Sequence, residues 1–246
     1  MKTDLVTGMH RTGHHAIAVW LSHQFSGISN FSFSTVASWL MANETDKSLI
    51  LMANNPLREG RNENPDKKKL PLILNDVKPQ NLIITHEQER LERLTTILQQ
   101  SPYSINKPIV VIRDFRNWVA SCIKMALRDN KIIEEVISYE KIEVYHNHIK
   151  NFWNDDYYFI LYNKWATDKN YRQEICKYLE YFFTDAAKEQ LSIFGGGSSF
   201  DALNYLKNAS DMDVNNRYQE MEKHPYYETI LEKYQGTLRL SNRIFK

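Results

Sequence analysis

The chain has 246 residues, and its 31 basic and 30 acidic side chains leave a formal net charge of +1. This length suits one well-buried domain, which we assign to residues 1–246, and the balanced charge argues against a nucleic-acid partner. No apolar run approaches the roughly 20 residues that span a bilayer, and no signal peptide is apparent. We therefore expect a cytoplasmic protein without a membrane span.

Residues 4–21, DLVTGMHRTGHHAIAVWL, predict a strand, a tight loop and a helix. Gly8 and Gly13 have the Gly-x4-Gly spacing of a nucleotide-binding P-loop, although an ordinary strand-to-helix turn can also contain these glycines. His14 and His15 stand where a kinase or NTPase has Lys and then Ser or Thr. Backbone N–H groups and the positive end of a helix can still hold a phosphate, without magnesium.

The next segments predict strands at 48–54 and 70–76, separated by a polar loop. A strand at 82–84 follows, and Thr85 with Gln88 has the spacing of a capping box that would start a helix there. A further apolar strand covers 109–112 and leads into a helix from about Arg116.

The second half predicts a helical stretch at 132–152, a strand at 157–162, a helix at 171–183, a glycine-rich loop at 195–199 and two short closing helices. Strands that alternate with helices, and that are almost continuously apolar, are typical of a parallel sheet covered on both faces. The predicted fold is therefore α/β, with a mainly parallel central sheet and helices on both faces.

Ligands of open α/β sheets bind where the strands end, and two further strand ends carry polar side chains. Arg113 follows the strand at 109–112, and Ser121 comes eight residues later. Arginine offers paired donors to a phosphate, although a surface arginine and a helix-face serine would give the same pattern. His86 suits a general base, or it is simply the first residue of a helix.

Together these residues resemble the sulfotransferases that use 3′-phosphoadenosine-5′-phosphosulfate (PAPS). The family's 5′-phosphosulfate loop reads Pro-Lys/Arg-Ser-Gly-Thr-Thr, and HRTGHH is similar to it. The resemblance implies a P-loop, nucleotide-binding fold in which this loop contacts the cofactor through His10, Arg11, Thr12, Gly13, His14 and His15. The two final histidines depart from the family, because they replace hydroxyls.

The segment RDFRNWVAS is similar to the family's 3′-phosphate motif, with Phe115 where proline is usual. The resemblance implies that Arg113 and Ser121 bind the 3′-phosphate. ITH falls where cytosolic members carry Lys-Thr-His, so His86 would be the catalytic base, and Ile84 replaces the lysine. Arg11 would then be the main cationic catalytic group beside the transferred sulfuryl group.

Two later segments complete the resemblance. ILYNKW places Tyr162 near the nucleotide, and GGGSSF places Gly197 and Ser198 in a loop that closes over the 3′-phosphate. The resemblance implies sulfuryl transfer from PAPS to a hydroxyl acceptor, either a carbohydrate or another small hydroxylated molecule. The alternatives are a P-loop kinase for nucleotides or small molecules, and a sulfotransferase-like domain that binds without turnover.

The cysteine pattern gives no reason to expect a metal. Cys122 and Cys176 are too few for a disulfide framework, and their spacing matches no metal-binding motif. Both lie among apolar and helix-forming residues, so we expect buried thiols. A cofactor site without metal is therefore the expectation from sequence, and the acceptor and the oligomeric state are not assigned.

Overall fold

The structure is a computed structural model, and it describes residues 2–24, 32–35, 39–43, 48–53, 81–94, 107–185, 187–189, 198–201, 204–205 and 208–246. Within these residues the chain forms an α/β fold around one mixed sheet of seven strands. The strands are β1 (Lys2–Gly8), β2 (Ser32–Thr35), β3 (Trp39–Asn43), β4 (Ser48–Ala53), β5 (Asn81–Glu87), β6 (Ile109–Ile112) and β7 (Tyr158–Leu161).

The order of strands across the sheet is β2-β3-β4-β5-β1-β6-β7. Strands β4, β5, β1, β6 and β7 are parallel, whereas β2 and β3 add an antiparallel edge. Consecutive strands β5 and β6 lie on opposite sides of β1. Such a switch in strand order opens a crevice at the carboxyl ends of the strands, which is where α/β sheets bind ligands.

Side chains of the central strands alternate between two hydrophobic cores. Leu5, Val110 and Ile112 pack in one core, while Val6 and Val111 pack in the other. Successive side chains of a strand point to opposite faces of the sheet. Both sets are apolar when helices cover both faces. The sequence prediction of a sheet buried on both sides is therefore confirmed for these strands.

The helices that cover the faces are α1 (His14–Ser22), α2 (Phe115–Arg128), α3 (Ile133–Val136), α4 (Tyr139–Lys150), α5 (Tyr162–Thr167), α6 (Lys169–Tyr178), α7 (Pro225–Lys233) and α8 (Gln235–Ile244). Helices α2, α4 and α7 share the core with Leu5, and α1 and α6 share the core with Val6. Asp114, Ser138 and Asp168 cap α2, α4 and α6 by accepting backbone N–H groups.

Most predicted elements of the described residues are confirmed, with three corrections. The capping box is wrong, because Thr85 lies inside β5, where it pairs with Val6 of β1. The helical stretch at 132–152 is interrupted, because one helix ends at Val136 and Ser138 caps the next. The antiparallel edge formed by β2 and β3 was not predicted, and the strand expected at 70–76 lies outside the described residues.

Two smaller expectations concern the thiols and the membrane. Cys122 and Cys176 are both free and buried, as predicted. None of the helices within the described ranges has the length and apolarity that crossing a bilayer requires.

The cap of α6 gives a direct test of the described helix start. The Asp168 carboxylate accepts the Tyr171 N–H at 3.0 Å. Asp168→Ala should lower the free energy of unfolding by about 1 kcal/mol, because a helix loses its N-cap. Asp168→Asn, which keeps a cap acceptor, should recover most of that loss in urea denaturation. Equal stabilities of the alanine and asparagine variants would contradict this start of α6.

Candidate functional site

The candidate site lies where β1, β5 and β6 end at the carboxyl edge of the sheet. The loop after Gly8, the segment from Glu87 and residue Arg113 meet at this edge, because the three strands are parallel neighbours. The Gln88 N–H donates to the Gly8 carbonyl at 3.0 Å and ties the ends of β5 and β1 together. Sequence reasoning placed the site at strand ends, and the strand order brings those ends together.

Both glycines of the first loop are required by close packing. A Cβ atom at Gly8 would lie 2.7 Å from the Thr12 hydroxyl and 2.9 Å from the Val111 carbonyl. Gly13 has a φ of 86°, and a Cβ atom there would lie 2.2 Å from the Tyr162 ring. The Gly-x4-Gly spacing therefore reflects two points where the backbone passes too close to its neighbours for any side chain.

A tight turn forms the loop between these glycines. The Thr12 N–H and the Thr12 hydroxyl both donate to the Met9 carbonyl, at 3.1 Å and 2.7 Å. Arg11 sits at the turn with a φ of 65°, a conformation that is uncommon for a residue with a side chain. The Thr12 hydroxyl is therefore engaged in holding the loop, although its oxygen can still accept a hydrogen bond.

The loop leads into the N-terminus of α1. Gly13 occupies the N-cap position, no side chain caps the helix and its first turn contains no acidic residue. The first backbone N–H groups of a helix have no acceptor within the helix, and they carry the positive end of the helix dipole. The start of α1 thus has the chemistry of an anion-binding site.

Arg113 is the most distinctive charge of the site. Its side chain is 4% exposed, and its guanidinium donates to the Ser121 hydroxyl at 2.8 Å and to the Val214 carbonyl at 2.7 Å. A longer hydrogen bond of 3.4 Å reaches the Arg11 carbonyl. Among the described residues no carboxylate forms a salt bridge with Arg113. Burial lowers the pKa of this guanidinium, while the nearby Tyr162 and Asp114 oppose the shift.

A polar network holds Arg113 in place. Asp114 caps α2 through the Asn117 N–H, and its carboxylate also accepts the Asn163 side-chain amide at 2.7 Å. Asn117 donates to the Asn215 carbonyl at 2.7 Å. The network joins the ends of β6 and β7 to the segment whose Val214 carbonyl accepts from Arg113.

Arg217 is a further cation that sequence reasoning missed. Its guanidinium is buried and donates to the Ser198 hydroxyl and to the Asp201 carboxylate, both at 2.5 Å. Its charge lies close enough to contribute to the lowered pKa of Arg113. Ser198, predicted to contact the cofactor, is thereby held beside the basic cluster of Arg113 and Arg217. No sequence motif marks Arg217, because only the fold brings it into contact with Ser198.

Tyr162 lies between the loop and Arg113, and its predicted place near a nucleotide stays a prediction. Its ring packs against Gly13 and lies 5.3 Å from the Arg113 guanidinium carbon. It also stacks on Trp165, with the ring centroids 5.7 Å apart. A pocket opens along these rings, and it is lined by Ala16, Tyr162, Trp165, Lys188, Met212 and Val214.

His10 has a different environment from the rest of the loop. Its imidazole is buried beneath α2, where Nε2 lies 3.4 Å from the Cys122 sulfur, and its carbonyl accepts the Trp118 indole N–H. Burial is the main cause that lowers the pKa of His10 to about 3, so the ring is neutral at neutral pH. Its predicted contact with a cofactor stays a prediction.

His14, His15 and Glu87 form a compact cluster at the start of α1. The His14 Nε2 lies 3.7 Å from a Glu87 carboxylate oxygen, and the two imidazole centroids are 4.0 Å apart. Burial lowers the pKa of His15 to about 3 and that of His14 well below its usual value. Burial also raises the pKa of Glu87 to about 7, while the nearby Arg11 charge opposes this shift. Both histidines are therefore neutral at neutral pH, and Glu87 is partly protonated.

Two predicted site residues lie partly or wholly outside the described part of the structure. The backbone of His86 lies within β5 and pairs with Thr7 of β1, but its side chain is outside the described part of the structure. Gly197 also lies outside the described residues. Their assignments stay predictions.

Arg11 lies close enough to Arg113 and Arg128 to feel both positive charges. Burial lowers its pKa to about 10, and the charges of Arg128 and Arg113 act in the same direction. The uncapped start of α1 and Arg11 favour an anion beside the loop, and Arg113 favours a second anion across the Tyr162 ring.

Comparison with known proteins does not name a family. No family model matches the sequence, and no curated protein matches it either. The function is therefore argued from the geometry of the site.

The strain at Gly13 gives a prediction for the loop. Gly13→Ala should lower the free energy of unfolding by about 1–3 kcal/mol, because alanine must adopt a positive φ and displace Tyr162. Gly236→Ala is the matched control, because Gly236 lies in α8 with no atom within 4 Å of a Cβ. The control should be neutral or stabilising by up to about 1 kcal/mol. Equal effects of the two variants in denaturant titrations would refute the packing described for the loop.

Proposed function

We propose that this protein is a PAPS-dependent sulfotransferase. The observation that carries the proposal is Arg113, a buried cation that donates to Ser121 and has no carboxylate partner among the described residues. A buried charge without a counter-ion is costly, and a bound phosphate would compensate it. The spacing of Arg113 and Ser121 is the one that the sulfotransferase 3′-phosphate motif uses.

The second phosphate would bind at the N-terminus of α1. The uncapped helix, the loop backbone and Arg11 supply N–H donors and positive charge there. Tyr162 lies between this loop and Arg113, beside a pocket that the Tyr162 and Trp165 rings help to line, and the nucleoside would bind along these rings. A bisphosphorylated nucleoside with one phosphate at each end matches this distribution of charge.

In this proposal the acceptor hydroxyl attacks sulfur, and the bond between sulfur and the bridging phosphate oxygen breaks. His86 takes the proton from the hydroxyl, and Arg11 stabilises the charge that develops on the leaving phosphate. The products are a sulfate ester and 3′-phosphoadenosine-5′-phosphate (PAP). The acceptor is a small hydroxylated molecule, a carbohydrate included.

The kinase alternative is less consistent with this loop. A P-loop kinase holds the outer phosphates with a lysine and magnesium with a Ser or Thr hydroxyl, and His14 and His15 replace both. Neutral imidazoles supply neither a fixed charge nor an oxygen ligand for magnesium. A domain that binds PAP without turnover shares the same site and differs only in activity.

Thermal denaturation with nucleotides tests the cofactor class. PAP without magnesium should stabilise the protein, by about 2.7 kcal/mol at 100 times its Kd. For a chain of this size that corresponds to a rise in Tm of about 5–10 °C. Mg-ATP at the same concentration should raise Tm clearly less. Stabilisation by ATP that requires magnesium, with none by PAP, would favour the kinase instead.

Variants at the 3′-phosphate position test the central observation. Arg113→Ala should weaken PAP binding by roughly ten- to hundredfold, because a hydrogen bond to a charged group is worth about 1.5–3 kcal/mol. Ser121→Ala should cause a smaller loss of roughly two- to tenfold. Adenosine 5′-phosphosulfate, which lacks the 3′-phosphate, should bind both variants almost as it binds the unmodified protein. Isothermal titration calorimetry measures the affinity of each protein for each nucleotide.

Arg116→Ala is the matched control for Arg113→Ala. Arg116 lies in the first turn of α2, three residues after Arg113, and its guanidinium packs over the Tyr218 ring at 5.9 Å. The control should leave PAP affinity unchanged. If Arg113→Ala weakened both nucleotides equally, Arg113 would serve the architecture of the pocket and not the 3′-phosphate.

A further inference from the structure

We propose that His14, His15 and Glu87 form a binding site for a transition-metal ion, with Zn²⁺ as the best-suited occupant. One ligand atom from each of these side chains lies within 4.8 Å of the others. Two imidazoles and one carboxylate are a common donor set of zinc sites that keep a position open. This inference does not depend on sulfuryl transfer, because it concerns only these three side chains.

The fold creates the cluster from two separate segments. His14 and His15 are the first two residues of α1, and Glu87 is the last residue of β5. Adjacent residues of a helix usually diverge, yet these two rings approach to 4.0 Å between centroids. Glu87 reaches them because β5 lies beside β1, with Glu87 in register with Gly8.

His14 supplies an independent reason to expect a ligand. Its side chain is only 2% exposed, and neither ring nitrogen makes a hydrogen bond within the described structure. The nearby Met9 carbonyl favours protonation of the ring, but it does not reach hydrogen-bonding geometry. The 3.7 Å to Glu87 is also too long for a hydrogen bond. Buried polar nitrogens usually have partners, and a metal ion would give His14 one.

The distances leave room for an ion after small side-chain movements. Ligand atoms of a tetrahedral zinc site lie about 3.3 Å apart, since each bond measures about 2.0–2.1 Å. The cluster spans up to 4.8 Å, so rotations that move the ligand atoms by about an ångström would close it. A quarter of the Glu87 side chain is exposed, so the fourth position would face the solvent side.

The donor set selects among metals. Imidazole suits Zn²⁺ and other late first-row ions, whereas Mg²⁺ prefers oxygen ligands in octahedral geometry. Among the described residues, the Arg11 charge acts on both His15 and Glu87, and it opposes a cation here. We therefore expect a Kd of roughly micromolar order, well above that of closed structural zinc sites. A bound ion would place positive charge where P-loops of this spacing carry their lysine.

Cobalt titration of the full chain tests the site, because Co²⁺ bound by imidazole and carboxylate absorbs in the visible region. Protein treated with a chelator and then desalted should bind one Co²⁺ per chain, and Zn²⁺ should displace it. Mg²⁺ should not displace it. Zn²⁺ should also raise the Tm, because an ion that binds only the folded protein stabilises it.

Glu87→Gln and His15→Gln are the informative variants, because each removes one ligand and keeps a polar side chain of similar size. Each should weaken Co²⁺ binding by at least the roughly 10- to 100-fold that loss of an outer-shell partner causes. Glu92→Gln and His146→Gln are matched controls outside the cluster and should bind like the unmodified protein. Circular dichroism and Tm identify any variant that fails to fold.

The proposal is overturned if the unmodified protein binds no stoichiometric Co²⁺, or if Glu87→Gln and His15→Gln both bind it as well as their controls. The latter result would mean adventitious binding by other histidines of the chain, which has 8 in all. This outcome is distinguishable from that of the nucleotide experiments, because those experiments measure the effect of Arg113→Ala on PAP affinity without added metal.

Discussion

The site depends on how the fold accommodates the buried guanidinium of Arg113. Its hydrogen bonds join the end of β6 to α2 through Ser121 and to a distant segment through the Val214 carbonyl. A buried cation must be hydrogen-bonded, so these segments have to meet around it. Backbone carbonyls and a hydroxyl accept from its two terminal nitrogens without neutralising it, and Nε has no partner within the described structure, so the cation can still attract an anion. This is how a structural anchor becomes a candidate phosphate ligand.

The first loop and this anchor form one unit. Gly13 lets the Tyr162 ring pack on the loop backbone, and the same ring lies beside the Arg113 guanidinium. Substituting the glycine would therefore disturb both ends of the site. The uncapped start of α1 adds a second region of positive potential near Arg11. Two anion-favouring regions separated by an aromatic ring are consistent with a nucleoside that carries two phosphates.

The loop histidines have different surroundings although they are close in sequence. His10 packs under α2 with Cys122, whereas His14 and His15 face Glu87 from β5. Burial keeps all three imidazoles neutral, so the loop's fixed positive charge comes from Arg11. Imidazoles at these two positions supply nitrogen ligands in place of a lysine charge and a hydroxyl oxygen.

The sequence by itself determined the features that depend on neighbouring residues. Strand and helix periodicity and the two loop glycines are local, and the strand, loop and helix that they predicted are confirmed. The eight-residue spacing from Arg113 to Ser121 is also local; the two side chains are hydrogen-bonded, and their contact with a phosphate stays a prediction. Tertiary structure decided what distant segments contribute: Val214 and Arg217 approach Arg113, and Glu87 approaches His14. Thr85 has the local pattern of a helix start, yet pairing with β1 and β4 keeps it in a strand. Sheet pairing outweighs a local cap signal, and no short-range pattern encodes which distant strand ends will meet.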